Sequence, residues 1–139
     1  MIPSEGRRDP IRLLVVDDEA DIVEYLCTAL EDNGFEAGGE LDPARVIARV
    51  RQQRPDAIIL DILMPGQTGA SLYRTLREDP ATADIPVIIV TGVSRTEEFP
   101  AGPGGLPPPD GYLEKPIVVP RLVETVHDVL RRRGEDRRA

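Results

Sequence analysis

The chain has 139 residues, with 17 basic and 25 acidic side chains and a net charge of −8. That length fits one domain, because a single core serves roughly 100–150 residues, and the excess of acid argues against bulk-charge binding to nucleic-acid phosphates or anionic lipid. The lone Cys27 cannot form an intrachain disulfide, which favours a cytoplasmic compartment, and no apolar run approaches the roughly 18 residues that cross a bilayer.

Residues 1–10 are polar and are expected to form a flexible tail. Ile11–Val16 reads IRLLVV, a continuous β-type run. Glu19–Asn33 follows, with Ile22, Leu26, Ala29 and Leu30 at helical spacing and Gly34 as a stop. A soft second strand covers Phe35–Glu40, weakened by Gly38-Gly39. Asp42-Pro43 is a helix start, with a capping Asp and Pro at the first helical position. Val46, Ile47 and Val50 form its apolar face, and Arg54-Pro55 ends it.

Ala57–Leu60 reads AIIL, a fully apolar strand, and a loop with Pro65, Gly66 and Gly69 follows. Ala70–Glu78 has a helical pattern, with Leu72, Tyr73 and Leu76 on one side. Pro86–Val90 is a fourth strand and Gly111–Glu114 a short fifth. Val118–Arg132 closes the chain as a helix with Leu122, Val126, Val129 and Leu130 inward, and residues 132–139 are expected to be a charged tail. Between the fourth and fifth strands the chain reads PAGPGGLPPP over residues 100–109, which no regular helix tolerates. The helix expected there is short or replaced by a loop.

Short strands apolar on both faces, separated by helices, indicate an α/β fold: a doubly wound, five-stranded parallel sheet in the order 2-1-3-4-5. Such sheets bind ligands beyond the carboxyl ends of their strands. The first strand ends in Asp17-Asp18, the third in Asp61, the fourth in Thr91 and the fifth in Glu114-Lys115-Pro116. With the first and third strands adjacent, Asp17, Asp18 and Asp61 converge. Three carboxylates in one pocket repel, and a hard divalent cation such as Mg²⁺ relieves the repulsion through oxygen ligands. Lys115 is the only lysine; every other basic residue is arginine. A compact ammonium differs from a planar guanidinium, so this position points to a chemical need for the ammonium. A carboxylate beside a metal and a lysine is equipped to accept a phosphoryl group, and the Thr91 hydroxyl suits a phosphoryl oxygen.

Four blocks in one register, LLVVDDE (13–19), IILDILMPGQTG (58–69), VIIVTG and GYLEKP (111–116), resemble the receiver domain of bacterial response regulators, the CheY-like family, over residues 11–131. The resemblance implies Asp61 as phosphoacceptor. It implies Asp18 as direct Mg²⁺ ligand, Asp17 as its acidic neighbour acting mainly through water, and the backbone carbonyl of Leu63 as the third protein ligand. Thr91 and Lys115 match the pair that closes on the phosphoryl group, and Tyr112 matches the aromatic switch. Pro116 matches the proline whose bond to the lysine is usually cis. Pro65, Gly66 and Gly69 match the tight loop after the acceptor.

The implied function is a phosphorylation-dependent signalling switch of a two-component or phosphorelay system. The phosphoryl donor is a histidine kinase or a His-phosphotransfer protein, and the output is a downstream protein target. Neither nucleic acid nor membrane is an expected partner. The chain is expected to be a stand-alone receiver, a monomer or weak dimer, and not an enzyme beyond its own phosphorylation and dephosphorylation. Apolar Leu63 and Val93 cannot orient an attacking water, so slow self-dephosphorylation is expected. Two rival readings are a receiver-like scaffold that is never phosphorylated and an aspartyl-nucleophile phosphatase or phosphotransferase. The second rival usually needs another acid two residues after the nucleophile, where this chain has Leu63. His127 and Cys27 are expected to be a solvated or capping residue and a small buried apolar residue.

Overall fold

The structure is a computed structural model and describes residues 10–62, 69–92 and 107–138. Five strands form one parallel sheet: β1 Arg12–Val16, β2 Glu36–Glu40, β3 Ala57–Asp61, β4 Val87–Thr91 and β5 Gly111–Glu114. Their order is β2-β1-β3-β4-β5, with every neighbouring pair parallel. This is the doubly wound α/β sheet and strand order expected from the apolar runs. The helices are α1 Ala20–Asp32, α2 Val46–Gln52, α3 Gly69–Glu78 and α4 Val119–Arg138.

Each central strand divides its side chains between two cores, because successive residues point to opposite faces. Leu13, Val15, Ile59, Ile88, Val90 and Leu113 pack with Leu26 and Leu30 of α1 and with Leu122, Val126 and Val129 of α4. Leu14, Val16, Ile58, Leu60, Val87 and Ile89 pack on the other face with Val46 and Val50 of α2 and Leu72, Tyr73 and Leu76 of α3. All five residues of β3 and of β4 are buried. That burial makes these strands read as unbroken apolar runs.

Several elements differ in detail from the sequence reading. The segment after Asp42 opens as a 3-10 turn over Pro43–Arg45 before α2 begins at Val46, with the Asp42 carboxylate accepting the Ala44 N–H at 3.0 Å. Strand β2 is fully paired to β1 over five residues. Its glycines answer a packing need, because a Cβ at Gly39 would run into Val23 of α1 and one at Gly38 would lie 2.8 Å from the Arg49 guanidinium. The last helix continues to Arg138, so the charged tail expected from residue 132 is helical up to that point. Its extension is fastened where the Arg133 Nε donates to Asp110 Oδ1 at 2.9 Å and Arg132 donates to the Asp110 carbonyl at 3.3 Å.

Asp110 is the centre of a polar cluster at the amino end of β4 and β5. Its Oδ2 accepts from Arg77 at 2.7 Å and from the Val87 N–H at 2.8 Å. The Arg77 side chain, only 4% exposed, also donates to the carbonyls of Ala83 and Ile85 and to the Tyr73 hydroxyl. That hydroxyl donates in turn to the Pro107 carbonyl at 2.6 Å. Burial pushes the Tyr73 hydroxyl up from its ordinary pKa, against the lowering effect of Arg77. His127 is exposed, as a solvated residue should be, and its ring sits 5.3 Å from that of Phe35. Cys27 is a half-buried free thiol packed against the α1 core. Residues 1–9, Leu63, Pro65, Gly66, Val93 and the stretch from Pro100 to Leu106 lie outside the described residues.

Candidate functional site

The site forms at the carboxyl edge of the sheet because of the β1–β3 register. Val16 pairs with Leu60, so the next residue on each chain, Asp17 and Asp61, arrives at the same level. Strand β1 ends there because α1 must begin: the Asp17 Oδ1 accepts the Glu19 N–H at 2.9 Å and turns the chain into the helix. One side chain thus both starts the helix and enters the acidic pocket. Its other oxygen faces Lys115.

Asp17 and Asp61 are 2% and 4% exposed, whereas Asp18 is open to solvent. One carboxylate oxygen from each of Asp17, Asp18 and Asp61 lies within 4.8 Å of the other two. The Lys115 Nζ is 3.5 Å from Asp61 Oδ2 and 4.0 Å from Asp17 Oδ2. Burial is the main force on Asp17. It raises the carboxyl from 3.8 to about 6, helped by the charges of Asp61 and Asp18 and opposed by the Glu19 N–H and by Lys115. A single ammonium therefore does not balance the three carboxylates. An all-oxygen donor set with this surplus of negative charge suits a hard cation such as Mg²⁺.

Lys115 is positioned by the strand before it. Thr91 ends β4, paired with Glu114 of β5, and its carbonyl accepts the Lys115 N–H at 2.9 Å. The Lys115–Pro116 peptide bond is cis. Thr91 is 1% exposed and shares this edge with the acids. Tyr112 pairs with Ile89 and its half-buried ring packs on the core beneath α2 and α3. Gly69 is the first residue of α3. The structure thus brings Asp17, Asp18, Asp61 and Lys115 into one cluster, with Thr91 at the same edge; Tyr112 lies two residues into β5.

Sequence reasoning missed Tyr25 of α1. The Tyr25 hydroxyl lies 3.4 Å from the carbonyl of Ile117, which ties α1 to the loop carrying Lys115. An exposed tyrosine on a polar helix face carries no sequence signal for such a bond.

A doubly wound sheet with acids and a lysine at its carboxyl edge defines a receiver-type signalling fold, and the comparisons with known proteins agree. The sequence model described as the response regulator receiver domain matches residues 13–127, and the chain belongs to that family. The transcriptional regulatory protein PrrA of Mycobacterium tuberculosis is 40% identical over 124 residues, 88% of this chain and 51% of that protein. The phosphate regulon transcriptional regulatory protein PhoB of Escherichia coli is 36% identical over 121 residues, 87% of this chain and 52% of that protein. The chain therefore spans about half the length of these curated relatives. The chemotaxis protein CheY4 of Vibrio cholerae superposes with a TM-score of 0.78 at 27% identity, over 87% of this chain and 99% of that one. The Francisella response regulator 1452 receiver domain gives 0.76 at 29% identity, over 89% and 98%. No described helix is long and apolar enough to cross a membrane.

Proposed function

We propose that the chain is a phosphorylation-dependent switch in which Asp61 accepts a phosphoryl group from a phosphohistidine on a histidine kinase or His-phosphotransfer protein. An Asp61 carboxylate oxygen forms the new P–O bond as the donor's P–N bond breaks, and the donor's imidazole leaves and takes up a proton. Asp17 and Asp18, with Asp61 itself and the Leu63 carbonyl, would hold Mg²⁺. When bound, the cation neutralises the charge that gathers on the phosphoryl oxygens. Lys115 supplies a second positive charge at the same carboxylate, and the Thr91 hydroxyl donates to a phosphoryl oxygen. The added charge of about −1.5 to −2 then draws Thr91 and Lys115 inward and alters the packing of Tyr112. The domain catalyses only its own phosphorylation and dephosphorylation. Its place is the cytoplasm.

The observation that carries this reading is the Lys115 ammonium held 3.5 Å from a buried Asp61 carboxylate among three converging acids. The output we propose runs through protein contacts. The relatives named transcriptional regulatory proteins support a second output, control of a DNA-binding segment by the same switch. Incubation with phosphoramidate or a beryllofluoride mimic, with and without Mg²⁺, tests the proposal. Stoichiometric, Mg²⁺-dependent modification that disappears in Asp61→Asn is the expected result. Turnover of small phosphates would favour the phosphatase reading, and no response would favour the scaffold.

A further inference from the structure

We infer that Arg49 of α2 is a positioning residue for Asp17, and so for the cation site, acting through the last two residues of β2. The inference rests on the function proposed above, because it concerns how that site holds Mg²⁺. The Asp17 N–H donates to the Glu40 carbonyl at 3.2 Å, one step beyond the paired residues Val16 and Glu40. Asp17 is thus held from two directions, through its backbone by Glu40 and through its carboxylate by the Glu19 N–H. The Glu40 carbonyl is only as well placed as the strand end that carries it. That end belongs to the edge strand of the sheet, and the two residues before Glu40 are Gly38 and Gly39. A glycine pair at the end of an edge strand frays readily unless something else holds it.

Arg49 is that hold. Its guanidinium donates to the Gly39 carbonyl and lies 3.3 Å from Glu40 Oε1. The Glu40 side chain, 11% exposed, also accepts the Asp42 N–H through Oε2 at 3.0 Å. The Asp42 carboxylate in turn caps the 3-10 turn that leads into α2. The chain from Glu40 through Asp42 to Arg49 is therefore closed into a polar ring, and the Glu40 carbonyl joins that ring to Asp17. Gly38 belongs to the same arrangement, because a Cβ there would lie 2.8 Å from Arg49 Nη2. The glycine that loosens the strand end thus also leaves room for the side chain that fixes it. Arg51 of the same helix pairs with Asp79 instead.

Removing Arg49 has two effects of opposite sign. Loss of a positive charge makes the surroundings more negative, which favours a divalent cation. Loss of the hold on Glu40 frees Asp17, which disfavours one. The second effect is the larger, because the guanidinium is 39% exposed and already offset by Glu40.

Arg49→Met keeps the apolar stem and removes the guanidinium. Mg²⁺ affinity of the full chain, followed by amide shifts, should fall about threefold to tenfold. Arg51→Met removes the same charge from the same helix and should leave the affinity unchanged or slightly higher. Gly38→Ala should reproduce the Arg49→Met loss with no change of charge, because the end of a flexible side chain gives way to the new methyl group. Arg49→Lys should recover part of the affinity, since it keeps the charge but reaches less far. In the metal-free chain, exchange of the Asp17 amide should quicken about tenfold in Arg49→Met and Gly38→Ala, while the amides of β3 keep their rates. Where Arg49→Met fails to fold, Gly38→Ala and Arg49→Lys carry the test. Unchanged or tighter Mg²⁺ binding in a folded Arg49→Met or in Gly38→Ala, an equal loss in Arg51→Met, or exchange that quickens alike throughout the sheet would overturn the inference. Phosphoramidate modification of the unaltered chain with Mg²⁺ is followed in parallel. If it fails while these responses appear, the switch reading falls and the role of Arg49 stands; if it succeeds while they are absent, the role of Arg49 alone falls.

Discussion

Lys115 and Asp61 meet as an ion pair of 3.5 Å, the ammonium rising from the end of β5 and the carboxylate from the end of β3. Two strands that are not neighbours in the sheet thereby join above the β4 strand between them. In a chain whose other cations are all arginine, this pair isolates the contribution of an ammonium. Lys115→Arg should keep the fold, with a melting temperature within a few degrees of the parent. Its rate of phosphoramidate modification should fall about tenfold or more, equivalent to ~1.4 kcal/mol in the barrier. A rate equal to that of the parent would show that charge alone is enough.

The raised Asp17 carboxyl predicts a definite pH dependence. Below 3.8 the group is protonated in both folded and unfolded chains and carries no penalty. Between 3.8 and about 6 the unfolded chain ionises first, so the metal-free fold loses stability as pH rises through that window. Mg²⁺ binds the ionised form, so its affinity should fall as pH drops below about 6. Thermal melts at about pH 5 and about pH 7.5 check both signs. Added Mg²⁺ should raise the midpoint more at the higher pH, and Asp17→Asn should remove most of that difference.

Asp110 holds a buried guanidinium, and its removal should be costly. Asp110→Ala leaves Arg77 charged and enclosed, which predicts a loss of about 3–5 kcal/mol in urea unfolding. Arg133→Ala removes a more exposed partner of the same carboxylate and should cost about 1 kcal/mol or less. Equal losses in the two variants would show that the buried pair carries no special weight.

Gly39 allows α1 to lie close on the edge strand. Gly39→Ala should destabilise by about 1–3 kcal/mol, because the new methyl group meets Val23. In the Val23→Ala background the same change should cost less, and a double-mutant cycle on denaturant midpoints reads the coupling directly.

How far these features could be read in the sequence depends on how local their cause is. Strands β3 and β4 were legible because their burial on both faces leaves unbroken apolar runs, and the acids stood out because they end those runs. Strand β2 looked weak because glycine is a poor strand former by itself, whereas Gly39 is needed by a helix 16 residues away in sequence, at Val23. The Arg77–Asp110 pair spans 33 residues and leaves no periodic trace. The helical course of residues 133–138 was hidden by Gly134, whose helix-weakening effect is set against the hold of Asp110 on Arg133. At the site, the residue types were visible, but the level meeting of Asp17 and Asp61 is a product of strand register.

The edge position of β2 has a consequence for crowded solutions. An edge strand offers unpaired backbone groups to any passing strand, including the same strand of another copy. Here that strand is five residues long, begins at Glu36, ends at Glu40 and carries two glycines between them. Two copies aligned edge to edge would bring like charges together along a ribbon with few side chains to interlock. The glycines that admit Val23 of α1 and Arg49 of α2 against this strand therefore also leave its outer margin a poor template for fibrous self-association.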